Sequence, residues 1–407
     1  MKVLSVNKYH RAKGGSETIF LGEMDLLRTQ GHEVIPFSMK EENSLPSDYS
    51  KFFVDNVDYE KPGLKNKIIA SSKILYSFDA RNKMTMLLKQ EPVDIAHLHL
   101  FQHQISPSIF APLRQRNIPI VASLHDLKPI CGNYKMYVDG AVCERCKGGR
   151  HFNMLRYRCN KGSLAGSLVN TAEMYLHHIA GFYRQIDTFI AVSHFYRKKL
   201  IEFGFDTKKI AYLPSYVAVD EHKVANEVSN YALYFGRLSD EKGVDVFVEA
   251  AALNPEIPHY IVGTGPDEAQ LKAEVSRRNI KNVVFRGFQS GTALKQLISE
   301  ALMIVVPSRW YENSPLTILE GFAHGRPIIG ADIGGIPELI VQNIDGLLFE
   351  PENASALANQ IATLSQDRDL ASNMGARGRE KVRKHFNADA HLTGLLDIYA
   401  KARAAKA

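Results

Sequence analysis

A chain of 407 residues, 45% hydrophobic and 23% charged, has the composition of a soluble globular protein and the length for two domains. It has no run of about 18 apolar residues, so no transmembrane helix is expected. The N-terminus MKVLSVNKYHRAKGG lacks the apolar core and small-residue cleavage site of a signal peptide, so a cytoplasmic location is expected. The formal net charge of +6 is unevenly placed: residues 1–215 carry 30 Lys+Arg against 20 Asp+Glu, and the remainder 20 against 24. Basic residues are dense over Lys61–Lys89 and Arg145–Lys161. Such runs mark a solvated surface, or one facing an anionic membrane or a pyrophosphate-linked acceptor lying on it. No nucleic-acid motif accompanies them, so nucleic acid is not expected as a partner.

In chain order, Lys2–Val6 and Glu33–Phe37 read as short apolar strands, with a helix to about Gln30, closed by Gly31, between them. This is the β-loop-α-β opening of a doubly wound domain. Gly14 and Gly15 fall just before the helix, where glycine lets backbone approach a phosphate and a helix start favours its charge. A tight turn is the other reading of the pair. Ser16 is the predicted N-cap. The spacing is not G-x-G-x-x-G, which argues against NAD. From Ser38 to Gln90 the pattern weakens into basic amphipathic stretches around Lys65–Ile74 and Lys83–Leu88. Strands resume at Val93–Leu98 and Ile118–Leu124. The second ends in His125-Asp126, at the carboxyl end of a predicted parallel strand, where open α/β sheets hold their ligands. His125 is therefore a candidate site residue with Asp126 beside it, although a structural histidine would read the same way.

All four cysteines fall in one segment, spaced C-x11-C-x2-C-x12-C. Disulfides are disfavoured in the cytosol, and four thiolates that include a C-x2-C pair match a tetrahedral structural zinc on Cys131, Cys143, Cys146 and Cys159. Free thiols and a redox or iron–sulfur role stay open, because the second flank has no C-x2-C partner. The segment follows His125, so a metal clip would shape that side of the domain. Beyond it, Ser163–Arg184 reads as a long helix, Ile186–Val192 as a strand, His194–Glu202 as a helix and Ile210–Leu213 as a strand.

A second domain, placed at 221–387, opens with a strand over Tyr231–Phe235 and the loop GRLSDEKGVD. Gly236 permits a close turn. Arg237 and Lys242 lie five residues apart on a loop entering a helix, and could neutralise a diphosphate by charge-assisted hydrogen bonds. A solvated loop of mixed charge is the alternative from spacing alone. His259–Val262 followed by GTGP, and Val283–Phe285 followed by Arg286-Gly287-Phe288, place glycines at strand ends, Gly263 among them. Ala301–Val306 is a buried strand ending at Pro307. A loop with Glu312 follows, then a helical segment from about Pro315 to His324, for which Pro315 suits the first turn. Glu320 then lies about one and a half turns inside the helix. The N–H groups near Leu316 and Thr317 make an anion site with a carboxylate on each side. That suits a sugar nucleotide, with phosphate at the helix start and hydroxyls against the acids. An acidic loop plus a solvated helix Glu is the alternative.

The stretch Pro307–Gly335, PSRWYENSPLTILEGFAHGRPIIGADIGG, together with Ile336–Ile340 after it, carries the frame PSxxxE…P…LEgfA.GrPii..d.GG.pElI. It resembles the retaining glycosyltransferases of family 4, of bacterial polysaccharide type. The resemblance spans nearly the whole chain and is most specific from Tyr234 to Phe349. It implies the GT-B fold: two Rossmann-like doubly wound α/β domains facing across a cleft. The acceptor side is 1–220, the nucleotide-sugar side 221–387, and the last helix, 388–407, crosses back to the first domain. It further implies that Glu312 meets the donor sugar, with Asn313 and Ser314 in the same loop, and that Glu320 holds the ribose. Arg237 and Lys242 grip the pyrophosphate, Gly14 and Gly15 close over the phosphates, and His125 contacts the donor sugar. Gly263 and Phe288 belong to turns of the donor site, the latter beside the base, and Val192-Ser193-His194 turns into the cleft. The family's usual Asn-Gly after Pro214 is Ser215-Tyr216 here, which leaves that turn open.

The implied reaction is transfer, with retention, from a nucleotide-diphosphate sugar, UDP by default. The hydroxyl belongs to a glycan or polyprenyl-linked acceptor in surface polysaccharide synthesis, on the inner face of the membrane. No Asp-x-Asp metal motif of the kind other glycosyltransferases use is read in the chain, and no cofactor is expected for catalysis. A sugar-nucleotide epimerase or hydrolase on the same fold, and a non-catalytic nucleotide-sugar-binding partner, are the alternatives.

Overall fold

The structure, a computed structural model, describes residues 1–56, 64–225 and 227–406, with 64–68 described by backbone only. The basic stretch that begins at Lys61 and the amphipathic one from Lys65 therefore lie partly outside the described residues. The chain divides into two compact units, the first Met1–Lys135 with Glu144–Leu213 and Leu392–Ala407, the second Met136–Cys143 with Pro214–His391.

The first unit runs β1 (Lys2–Val6), α1 (Gly15–Thr29), β2 (Glu33–Phe37), α2 (Leu64–Leu75), α3 (Phe78–Gln90), β3 (Ile95–Leu98), α4 (Phe110–Gln115) and β4 (Ile120–Leu124). A two-stranded antiparallel hairpin of β5 (Tyr137–Val138) and β6 (Ala141–Val142) then leaves for the second unit. Sequence periodicity does not register strands this short. The chain returns through α5 (Asn153–Arg156), α6 (Leu164–Ile179), β7 (Thr188–Ala191), α7 (His194–Glu202) and β8 (Ile210–Tyr212). The second unit continues with β9 (Ala232–Phe235), α8 (Val244–Leu253), β10 (His259–Val262), α9 (Glu268–Arg277), β11 (Val283–Gly287), α10 (Gly291–Glu300) and β12 (Met303–Val306). It ends with α11 (Leu316–Ala323), β13 (Ile328–Ala331), α12 (Ile336–Leu339), β14 (Gly346–Phe349), α13 (Ala354–Gln366) and α14 (Arg368–His385), before α15 (Ala388–Ala404).

Each unit is built on one six-stranded sheet whose pairs are all parallel, ordered β2-β1-β3-β4-β7-β8 in the first and β11-β10-β9-β12-β13-β14 in the second. Parallel strands need helical crossovers that cover both faces, so their sequences are mostly apolar. Alternate residues separate onto the two sides. Ala232, Tyr234, Met303 and Val305 join one core of the second unit, and Leu233, Phe235, Ile304 and Val306 join the other. The strand order reverses between β1 and β3 in one sheet and between β9 and β12 in the other. At such switch points the crossovers diverge and leave a crevice at the carboxyl ends of the strands.

Several details depart from the sequence reading. Helix α1 begins at Gly15 with extended Gly14 as its N-cap, and Ser16 does not cap it; the Ser16 hydroxyl donates to Glu17 Oε2 at 3.1 Å. The helix predicted over Ser163–Arg184 stops at Ile179, because Gly181 adopts φ +68 and a short 3-10 turn, Tyr183–Gln185, follows. One Asp-x-Asp does occur, Asp367-Arg368-Asp369, and it is a helix start: Asp367 caps α14 by accepting from the Leu370 N–H at 2.8 Å.

Helix α15 packs on the first unit. Leu392, Leu395, Ile398 and Tyr399 are spaced to share one helix face, and they join Val3, Ile95, Val121 and Ile190 in a single buried cluster. Leu395→Ala should therefore cost ~3 kcal/mol by transfer and cavity terms, seen as a lower denaturation midpoint, while Leu396→Ala, only partly buried against that cluster, should cost clearly less.

Candidate functional site

The second unit's switch point gathers most of the candidates. Strand β9 ends at Phe235 and leads into Gly236-Arg237, with Arg237 exposed and Lys242 one short turn further on. Gly243 then adopts φ +64, and a Cβ there would stand 2.1 Å from the Pro307 carbonyl oxygen. Only glycine lets this loop lie against the end of β12, and that contact brings Lys242 to Glu312. The Lys242 Nζ donates to Glu312 Oε1 at 2.6 Å, and the Ser308 hydroxyl donates to the same oxygen at 2.7 Å.

Glu312 is 5% exposed. Burial alone would raise its carboxyl pKa, but Lys242, helped by Ser308, holds it below the usual carboxylate range. The loop is fixed from behind as well. The Gly335 N–H donates to the Glu312 carbonyl at 2.8 Å, and a Cβ on Gly335 would stand 1.7 Å from the Asn313 carbonyl oxygen. Arg309 braces the other side, its Nη1 2.9 Å from Asp240 and its Nη2 2.7 Å from Asp245; the Tyr137 hydroxyl also donates to Asp240.

Helix α11 follows, with Pro315 as its N-cap, so Leu316 and Thr317 occupy the first turn and Glu320 the second. Burial pushes the Glu320 carboxyl up to about 7, against a weak opposing pull from Lys295. Gly263, at the end of β10, lies so close to Gly236 that a Cβ would meet its carbonyl oxygen at 1.9 Å. Phe288 follows edge strand β11 and is 70% exposed. Asn313 is buried, and Ser314 half-buried.

In the first unit, Gly14 and Gly15 form the start of α1 after β1, and His125 follows β4. Behind His125 lies a buried polar chain that the sequence did not disclose. His125 Nε2 is 2.9 Å from His99 Nδ1, and the two rings stack at 13°. Glu23 Oε2 lies 3.6 Å from His99 Nε2 and 3.3 Å from His97 Nδ1. His97 also meets the Tyr399 hydroxyl at 2.7 Å and the Ser123 hydroxyl at 2.8 Å. Two neutral imidazoles in a hydrogen bond are one donor and one acceptor, so the tautomers of His99 and His125 are coupled. Ligand atoms of Glu23, His97 and His99 all lie within 4.8 Å, a set able to share a proton or hold a cation. The available signal was His97-Leu98-His99, two histidines on one face of a strand end; Glu23 and Tyr399 reach them only through the fold. Asp126 accepts from the Lys128 N–H at 2.9 Å, and burial raises its carboxyl pKa.

The cysteines are divided. Cys131, Cys146 and Cys159 belong to the first unit, the last two against Met154 and Met174, and Cys143 belongs to the hairpin segment of the second. The Cys131 thiol donates to Asn133 Oδ1 at 2.9 Å.

Two doubly wound parallel units, each with polar groups gathered at its switch point, are the architecture of the GT-B class. Solved structures agree on the fold. A glycosyltransferase from Rickettsia africae superposes with TM-score 0.70 at 20% identity, covering 98% of both chains. Anabaena HepE in complex with UDP and glucose gives 0.71 at 16% identity, covering 98% of this chain and 100% of that one. In sequence, the model of Glycosyltransferase Family 4 matches residues 13–221, and that of Glycosyl transferases group 1 matches residues 219–381. The chain belongs to this family of glycosyltransferases. It is 23% identical over 401 residues to an uncharacterized glycosyltransferase of Methanocaldococcus jannaschii, covering 98% of each. It is 24% identical over 333 residues to N-acetyl-alpha-D-glucosaminyl L-malate synthase of Bacillus anthracis, covering 80% of this chain and 79% of that one. With O-antigen chain mannosyltransferase C of Escherichia coli it is 27% identical over 202 residues, 53% of that protein.

The raised carboxyl of Glu320 fixes a sign. An acid whose folded pKa exceeds its unfolded value adds protons to the native state, so stability falls as pH rises from about 4.5 toward 7. Glu320→Gln should therefore be more stable than the parent at pH 8, by on the order of 2 kcal/mol after allowing for partial exposure. The difference should vanish below pH ~4 in melting curves.

Proposed function

We propose that this glycosyltransferase moves a sugar, with retention, from a nucleotide-diphosphate sugar to a hydroxyl of a glycan or polyprenyl-linked acceptor in surface polysaccharide synthesis. UDP is the favoured nucleotide. The observation that carries the reading is the buried carboxylate of Glu312, held by Lys242 at 2.6 Å beside the start of α11. A diphosphate entering there meets the first-turn N–H groups and can draw Lys242 from Glu312, with Arg237 as a second cation. Glu312 is then left to hydroxyls of the donor sugar. Glu320 lies one turn deeper, placed for the ribose, and its raised carboxyl pKa lets it donate or accept at neutral pH. Asn313, Ser314, Gly263 and Phe288 complete the donor contacts.

The bond from the anomeric carbon to the β-phosphate oxygen breaks, and the acceptor oxygen bonds that carbon on the same face. The acceptor proton passes to the departing phosphate. Charge grows on the diphosphate in the transition state, so Arg237, Lys242 and the α11 start provide the main stabilisation. His125, hydrogen-bonded to His99, contacts the sugar, and Gly14 and Gly15 approach the phosphates. No catalytic metal is proposed. A structural zinc on Cys131, Cys143, Cys146 and Cys159 rests on their spacing; it predicts close to one zinc per chain by elemental analysis after chelator-free purification, and absence of zinc removes it. We place the enzyme on the cytoplasmic side of the membrane. Among the described residues no helix is long and apolar enough to cross a bilayer.

In Glu312→Gln the loop is retained but its charge is lost. Turnover with a UDP-sugar should fall by about a hundredfold or more, with UDP affinity changed by less than about tenfold. Proton NMR of the product should show the donor's anomeric configuration. Inversion would refute the retaining assignment, and normal turnover in Glu312→Gln would remove that residue from the chemistry.

A further inference from the structure

Helix α6 of the first unit is unlike an ordinary surface helix. Each of its exposed positions is leucine, alanine or isoleucine: Leu164, Ala165, Leu168, Ala172, Leu176 and Ile179. Apart from Ala165 these are spaced four, four, four and three residues apart, which places them in one stripe about 22 Å long. Ile179 is 77% exposed, and Leu164 and Leu168 each 55%. The helix's one carboxylate, Glu173, faces inward and is buried against Lys128 at 2.6 Å. A helix on a water-facing surface normally turns its polar side outward, and an extended exposed apolar stripe marks a docking face.

The segment leading into α6 supplies the charge. Residues 145–161 contain six Lys or Arg and no Asp or Glu, and all six cations are exposed. This segment packs on α6: the Phe152 N–H donates to the Tyr175 hydroxyl at 3.2 Å, and His151 meets the Tyr175 ring edge-on. Phe152 itself is 50% exposed and adds an apolar ring to this segment.

We propose that α6 and segment 145–161 form the face by which this enzyme docks on an anionic bilayer. This deepens the membrane placement put forward above. A helix with an apolar face and cationic neighbours lies in the plane of the interface, its leucines among the acyl chains and its cations among anionic headgroups. A second copy of the chain fits this face poorly. A twofold contact sets the same patch on both subunits, which brings two sets of cations together. An acidic headgroup layer has the complementary sign.

The test uses the full chain with vesicles of phosphatidylcholine alone and of phosphatidylcholine with phosphatidylglycerol. Co-sedimentation should require phosphatidylglycerol and should weaken as salt rises. Leu168→Glu with Ile179→Glu, and separately Arg156→Glu with Arg158→Glu, should each reduce vesicle binding about tenfold or more. Both sites are exposed, so melting temperature and UDP binding should hold, which separates this proposal from the donor-site reading. Three results would overturn it: wild-type protein left in the supernatant with phosphatidylglycerol vesicles at low salt, equal binding to phosphatidylcholine alone, or variants that sediment like the parent. A lipid-free dimer that dissociates in the Leu168→Glu, Ile179→Glu variant would assign the face to a second copy and overturn it too.

Discussion

The second unit is arranged around one buried negative charge. Taking a carboxylate out of water costs several kcal/mol unless a cation and hydrogen bonds replace the lost hydration. Glu312 has both, in Lys242 and Ser308. Those partners come from separate loops, so the loops must lie against one another with almost no space between them. Glycine makes that approach feasible, at Gly243 against Pro307 and at Gly335 against Asn313. A phosphate that takes Lys242 would leave Glu312 short of a countercharge, and donor hydroxyls are suited to make good part of that loss. In the proposed site the resting ion pair and the loaded form would be two states of one electrostatic balance.

The first unit is doubly wound as well, with one strand outside β1 where the second has two outside β9, and its chemistry is different. Its switch point presents a glycine-led helix start and a histidine, and behind the histidine stands a chain of buried polar side chains from α1, β3, β4 and α15. Tyr399, near the end of the sequence, reaches His97 of the third strand. The last helix is thereby tied both to the apolar core of this unit and to the polar residues behind His125, so its packing and the orientation of the site are linked. The hydroxyl of a single tyrosine makes that link, and a helix chosen only for hydrophobic packing would not need it.

Much of this was legible from residues alone because most of the strands are short apolar runs followed by a polar residue or glycine. Lys2–Val6, Glu33–Phe37 and His259–Val262 were bounded correctly for that reason. The loop-helix placement of Glu312 and Glu320 followed from Pro315, which can start a helix but not continue one. What escaped was long-range or local in a way periodicity cannot register. The Ser16 cap failed because the backbone could begin the helix two residues earlier, at Gly15 with Gly14 as its cap. The long helix after Ser163 was cut by the left-handed conformation of Gly181. Glu23 and His97 look like ordinary residues of an amphipathic helix and a buried strand until the sheet brings them together.

Lys242 and Glu312 are proposed as a site for a nucleotide diphosphate. The most direct test is a thermal-shift series with UDP, GDP and ADP, run on the parent, Arg237→Ala and Lys242→Ala. A ligand at a hundred times its dissociation constant adds about 2.7 kcal/mol, which a melting curve resolves. The expected result is stabilisation of the parent by one nucleotide, UDP, and its loss in both variants. Undiminished stabilisation in Lys242→Ala, or no shift of the parent with any nucleotide, would contradict it.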